Sequence, residues 1–313
     1  MDADGCEGVR GYAGARRRIG VLLLAATLTQ GCSTGSPTAR RVGSVRGPVR
    51  VVASFYPLAW LTERLGGSRV AVRDLTPPGA EPHDVEIDAD RVDAIATADL
   101  VVIMGHDFQP SIEAAAKKRA NETVIALDVL PPKQLRRNRV DPHIWLDPVL
   151  MTAVAKAVHA RLVVLDPAHR SAFDTNEADV AQQLSALDTE YRVGLARCAR
   201  KDLVTSHAAF GRLASRYGLI QQGIAGFSPD SEPDPRRLAE LADFVRINGV
   251  TTIFSEDLYP AKLADTLARE TGVRAAVLSP IEALTQSQRA KHADYVSLMR
   301  ANLIAIRAAL GCT

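Results

Sequence analysis

The chain has 313 residues, 47% of them hydrophobic and 24% charged, with a formal net charge of +2. This supplies one large or two medium domains with ample core and excludes a disordered or fibrous chain. A balance so close to zero, with Lys and Arg scattered along the chain, argues against the basic groove of a nucleic-acid binder.

The N-terminus carries Arg16, Arg17 and Arg18, then an apolar run from Ile19 to Leu28, then Gln30-Gly31-Cys32-Ser33. Residues 1–31 read as an export signal, because a permanent span needs roughly 20 apolar residues and this run is shorter. Cys32 in that setting resembles a bacterial lipobox, where cleavage leaves a lipid-bearing cysteine in first place. Thr29 stands where a larger aliphatic residue is usual, so ordinary secretion and a retained anchor stay open beside lipidation. The stretch after Cys32 is rich in Ser, Gly, Pro and Arg, and residues 32–48 read as lipid anchor and flexible tether.

Of four cysteines, Cys6 falls in the segment expected to be lost and Cys32 is claimed by the anchor, which leaves Cys198 and Cys312. An exported protein sits where disulfides persist, so these two can pair; two unrelated buried thiols are the alternative. No CxxC spacing occurs, which disfavours cysteine-ligated zinc.

From Val49 short β-branched runs alternate with amphipathic stretches. Val51 to Ser54, Val70 to Leu75, Leu100 to Met104 and Thr123 to Leu127 read as strands, and the stretches between them can hold helices. Asp147-Pro148 is a strong helix start, an N-cap followed by proline at the first helical position, and the helix should reach Leu165. A second amphipathic stretch runs from His169 to Cys198 without an internal Pro. The pattern then restarts with strands at Leu203 to Thr205, Ile220 to Ile224, Thr251 to Phe254 and Ala275 to Leu278, and Ser287 to Leu310 reads as a closing helix. The expectation is α/β: two similar lobes with parallel sheets joined by one long helix, divided as 49–166, 167–198 and 199–313.

Three histidines stand on separate loop-like segments: His83 in Glu81-Pro82-His83-Asp84, His143 in Asp141-Pro142-His143-Ile144-Trp145, and His207 in Thr205-Ser206-His207. Ligands of open parallel sheets bind at the carboxyl ends of strands, where these loops fall, and neutral imidazole is the commonest side-chain ligand of Zn²⁺. A metal site in the cleft between the lobes follows as the expectation. His106 follows the third strand and is read as lining the cleft, with metal binding as the lesser alternative, while His159, His169 and His292 are read as structural or solvated. Asp84 and Glu86 are read either as orienting His83 or as solvated carboxylates, and Trp145 as packing between the lobes. Glu232 is read as helix initiation before Arg236, with a lobe-interface or permease contact as the alternative, and Arg136 and Arg137 as a solvated face, with a docking surface as the alternative.

Gly79-Ala80-Glu81-Pro82-His83-Asp84-Val85-Glu86, Asp141 to Pro148, Ser206-His207-Ala208-Ala209-Phe210 and Ile253-Phe254-Ser255-Glu256 together resemble the solute-binding proteins of bacterial zinc and manganese ABC transporters. The resemblance covers Val49 to the C-terminus. It implies two α/β lobes bridged by a long rigid helix, capture of a metal between them, and delivery to an ABC permease from an extracytoplasmic, membrane-tethered monomer. His83, His143 and His207 fall on the first three ligand positions, and histidine in third place favours Zn(II) over Mn(II). The family usually has aspartate at the fourth, where this chain has Ser279 in Leu278-Ser279-Pro280-Ile281-Glu282. Glu282 or water remain as fourth ligand, with Glu256 rather an acceptor for an imidazole N–H. Between Asp128 and Asp141 the chain has only a short segment with Lys133, Arg136, Arg137 and Arg139, so the His-rich insertion of many zinc members is missing. A zinc hydrolase with water on three histidines, and a metal-dependent surface adhesin, are the competing readings.

Overall fold

The computed structural model describes residues 47–135, 140–230 and 234–313. The export signal, Cys6, Cys32, all but the last two residues of the tether, Arg136, Arg137, Arg139 and Glu232 lie outside the described residues.

The first half runs β1 (Val49–Ala53), α1 (Tyr56–Gly66), β2 (Val70–Asp74), α2 (Ala89–Thr97), β3 (Leu100–Ile103), α3 (Pro110–Ala116), β4 (Thr123–Ile125) and a short α4 (Pro132–Leu135). Its strands form a parallel sheet in the order β2-β1-β3-β4. The two helices α5 (Pro148–Leu165) and α6 (Arg170–Gly194) follow. The second half repeats the plan with β5 (Asp202–Thr205), α7 (Gly211–Tyr217), β6 (Ile220–Gly223), α8 (Pro235–Ile247), β7 (Thr252–Ser255), α9 (Lys262–Thr271) and β8 (Arg274–Val277). These strands form a second parallel sheet, β6-β5-β7-β8, and α10 (Gln286–Ala290) and α11 (Tyr295–Leu310) close the chain.

The strand residues sort by parity, as side chains of period two must. Val51, Ala53, Leu100, Val102, Leu203 and Phe254 face one continuous core that also takes in Trp145, Met151, Phe173, Leu184 and Tyr191 of the middle segment. Their neighbours Val52, Val101 and Ile103 face a second cluster under α2 and α3, and Val204 and Ile253 a third under α8 and α9. The core that continues through α5 and α6 ties the two lobes together. Asp147 caps α5 as its sequence predicts, its carboxylate accepting from the N–H groups of Val149 and Leu150.

The closing helix departs from expectation. In place of one helix from Ser287 to Leu310 there are two, α10 and α11, separated by Lys291 to Asp294 with His292 at φ +53°. Asp294 and Ser297 form a reciprocal capping box at the start of α11, satisfying N–H groups that the break leaves without intrahelical partners. His292 is therefore in the break rather than within a helix. Cys198, just past α6, and Cys312, just past α11, are joined by a disulfide that closes a 114-residue separation.

Candidate metal centre

Each strand that contributes to the site does so from its carboxyl end. His83 follows β2 in a single turn, Pro82–Asp84, and His143 stands directly before another, Ile144–Leu146, that leads into α5. His207 lies two residues beyond β5, Glu256 directly after β7, and Glu282 five residues beyond β8. His143, His207 and Glu282 are fully buried and His83 nearly so.

The four side chains His83, His143, His207 and Glu282 bring one donor atom each within 4.8 Å of one another. The Nε2 atoms of His143 and His207 are 3.3 Å apart, and Oε1 of Glu282 is 3.7, 3.6 and 3.7 Å from Nε2 of His83, His143 and His207. A tetrahedron with bonds of about 2.0–2.1 Å has edges of about 3.3–3.4 Å, so these separations suit one zinc-sized cation with three nitrogen donors and one oxygen. His83 Nε2 and both Glu282 oxygens are buried without a hydrogen-bond partner. Buried polar atoms are rarely left so, and an imidazole nitrogen and a carboxylate oxygen left so at 3.7 Å from each other call for a cation.

Two of the rings are locked by carboxylates. Asp141 Oδ1 accepts from the His143 N–H at 3.0 Å and lies 2.9 Å from Nδ1. Glu256 Oε1 accepts from the His207 N–H at 3.1 Å and lies 2.6 Å from Nδ1. With Nδ1 donating, Nε2 is the nitrogen turned to the common centre, its lone pair free for a metal once any proton there is displaced. Glu81 repeats half of the Asp141 device: its Oε1 accepts from the His83 N–H at 3.3 Å. Both are an acid–Pro–His run in which the acid side chain closes on the amide two residues on.

Among the side chains alone, burial works to lower the His207 pKa, but Glu256 and Glu282 overcome it and hold it up to about 10. Burial works to raise Glu282, and His207 and His83 outweigh it, holding its carboxyl well below the usual range. Burial, with the Glu282 charge beside it, pushes Glu81 up to about 9. Burial lowers His143 and raises Glu256.

Ser279 does not join the cluster. Its hydroxyl donates to Asp257 Oδ2 at 2.8 Å and accepts from the Ile281 N–H at 3.2 Å. Asn302 of α11 holds both the N–H and the carbonyl of Ser279. The turn that follows places Ile281 at φ +60°, an uncommon conformation for a β-branched residue, and delivers Glu282 inward. Trp145 Nε1 donates to the Pro280 carbonyl at 2.7 Å, and its ring packs between Phe55 and Phe108, so it braces this turn across the lobes.

The other candidates lie elsewhere. His106, at φ +58°, pairs with Asp128 at 3.0 Å and is partly exposed. His159 pairs with Asp174 and His169 with Asp166. Asp84 stands against Asp230, a neighbour that together with burial pushes its carboxyl up to about 6, and it is Glu81 that meets the His83 backbone. Sequence reasoning passed over Asp141, Glu81 and the polar residues that hold the loops. The shared acid–Pro–His spacing was the available signal for the first two.

Residues 51–309 match the family model described as zinc-uptake complex component A, periplasmic. The chain is 34% identical over 278 residues to the zinc-binding lipoprotein AdcA of Streptococcus pneumoniae, covering 83% of this chain but only 56% of that protein's length. It is 29% identical to the high-affinity zinc uptake system protein ZnuA of Bacillus subtilis over 309 residues, 93% of this chain and 97% of the other. The fold matches the crystal structure of the Zn(II)-bound ZnuA-like domain of Streptococcus pneumoniae AdcA with a TM-score of 0.74 at 33% identity, over 84% of this chain and 99% of that domain.

Proposed function

The chain belongs to the family of periplasmic zinc-uptake component A proteins, and from that premise we propose that it is an extracytoplasmic binding protein that captures Zn(II) and hands it to an ABC permease. The observation that carries this is the convergence of four buried donors, His83, His143, His207 and Glu282, from four different loops. Three imidazoles and one carboxylate suit Zn(II); Mn(II) prefers a set richer in oxygen. In this reading the metal is cargo, and residues 49–166 and 199–313 are the lobes that enclose it, with 167–198 between them. Glu282 takes the fourth place that Ser279 leaves open, and Glu256 orients His207. Cys32 carries the lipid that keeps a monomer beside its permease.

A hydrolytic zinc site keeps one coordination position open for water. Here a fully buried carboxylate faces the position that water would need, which favours binding over catalysis.

Competitive titration of the full chain with Zn(II) and Mn(II), on wild type and His207→Ala, tests the proposal. One-to-one, zinc-preferring binding that is lost in the variant is the expected result. Weak binding, or binding indifferent to His207, would overturn it.

A further inference from the structure

We propose that Arg212 is a positioning residue for the metal, acting across the lobe boundary through Asp141 on the ring of His143; the inference rests on the zinc-binding reading above. Arg212 lies in the first turn of α7, in the second lobe. Its Nε and Nη2 both donate to the carbonyl of Asp141, at 3.2 and 2.9 Å, and its Nη1 donates to Gln134 Oε1 at 2.8 Å. Its Nε is also 3.8 Å from Asp141 Oδ2. All three guanidinium nitrogens thus grip the segment of the first lobe that leads into His143. The planar fork of arginine makes such a grip directional, whereas a lysine would supply a single point charge.

The far side of Asp141 meets the metal site. Its Oδ1 receives the N–H and Nδ1 of His143, so the line Arg212, Asp141, His143 runs from one lobe to a ligand carried by the other. Gly211, beside Arg212, shows how close the approach is: a Cβ built there would stand 2.7 Å from Asp141 Oδ2. Any side chain at 211 would push against the carboxylate that fixes the imidazole. Outer partners of metal-bound histidines characteristically tune affinity by about 10- to 100-fold, and Arg212 sits one bond further out than Asp141.

The test uses release of Zn(II) from the full chain into excess chromophoric chelator, for wild type, Arg212→Ala, Asp141→Ala, the double variant and Gly211→Ala. Release should be about tenfold faster in Arg212→Ala and at least as fast again in Asp141→Ala. The double variant should release Zn(II) clearly more slowly than the product of the two single effects, because both act on the one ring of His143, although Asp141→Ala leaves Arg212 its bonds to the carbonyl of residue 141 and to Gln134. Gly211→Ala should resemble Arg212→Ala. A purely structural role would multiply the two effects, and that result, or an Arg212→Ala rate within about twofold of wild type, overturns the inference. Metal-free melting curves of all variants show whether folding is intact, and Gly211→Ala retains every hydrogen-bonding group should Arg212→Ala fail to fold. Wild type that takes up no Zn(II) sinks the zinc-binding reading itself, a failure distinct from any ranking among the variants.

Discussion

Replacing Glu282 by Gln removes the one anionic donor of the cluster while keeping its shape. A complete zinc site is worth about 10–16 kcal/mol in small zinc domains, so one donor in four stands for about 3 kcal/mol, or roughly a hundredfold in Kd. The carboxylate has no other partner to satisfy, since both its oxygens are buried without a hydrogen bond, and the loss therefore falls on the metal. Part of it is returned, because Glu282 also helps to hold the proton on His207 that zinc must displace. Ser279→Ala is the control: its hydroxyl is spent on Asp257 and Ile281, and its loss should weaken binding at least tenfold less than Glu282→Gln. The assay is competition with a chromophoric chelator at pH 7, with circular dichroism to confirm the fold. A Ser279→Ala defect equal to or larger than that of Glu282→Gln would refute the assignment of Glu282 as fourth donor.

Zinc uptake should release about one proton per metal at neutral pH. His207 is raised to about 10, so below that value its ring is protonated in the metal-free protein; calorimetry in buffers of different ionisation enthalpy measures the proton, and none released would contradict the assignment. The same raised value stabilises the metal-free fold fully below the ordinary histidine pKa of 6.5 and ceases to do so as pH climbs through about 10, so urea midpoints without metal should fall across that window. Cys198→Ser with Cys312→Ser opens a loop of 114-residue separation; chain entropy gives about 5 kcal/mol and measured losses are typically about 2–4 kcal/mol, to be read from denaturant curves, with an unchanged midpoint as the contrary result. Trp145→Phe leaves the Pro280 carbonyl without its donor, which should cost about 1–3 kcal/mol and weaken zinc several-fold, whereas zinc affinity equal to wild type would show that the turn needs no brace.

Most of the eight strands were legible as short apolar or β-branched runs bounded by polar or turn residues, β6 with its two glutamines only by its place between Leu219 and Ile224, and the start of α5 because Asp147 and Pro148 carry its geometry locally. The three histidines stood out by their loop settings. The fourth donor was legible only as a choice between Glu282 and water, because nothing local says whether Ile281 will accept a positive φ; Asn302 and Trp145, far away in sequence, hold that turn. The break before α11 was missed for a related reason. Its capping box closes with Ser297 where glutamate or glutamine is the usual partner, so Asp294 read as one more polar residue on a helix face.

The four ligand loops share a means of support that periodicity cannot reveal. Loop carbonyls at strand ends have no ladder partner, and buried ones must find a donor. Gln109 donates to Pro82 beside His83, Arg212 to Asp141 before His143, Gln221 to His207 itself, and Trp145 to Pro280 ahead of Glu282. Each loop is thereby fixed by a side chain from another segment, and the donors are held in place by the protein's own hydrogen bonds. Binding then orders little that was free, which lowers the entropic cost of capture. On the zinc-binding proposal, the same ties, and a core that α5, α6 and both sheets share, predict release by the shift of a loop rather than by parting of the lobes.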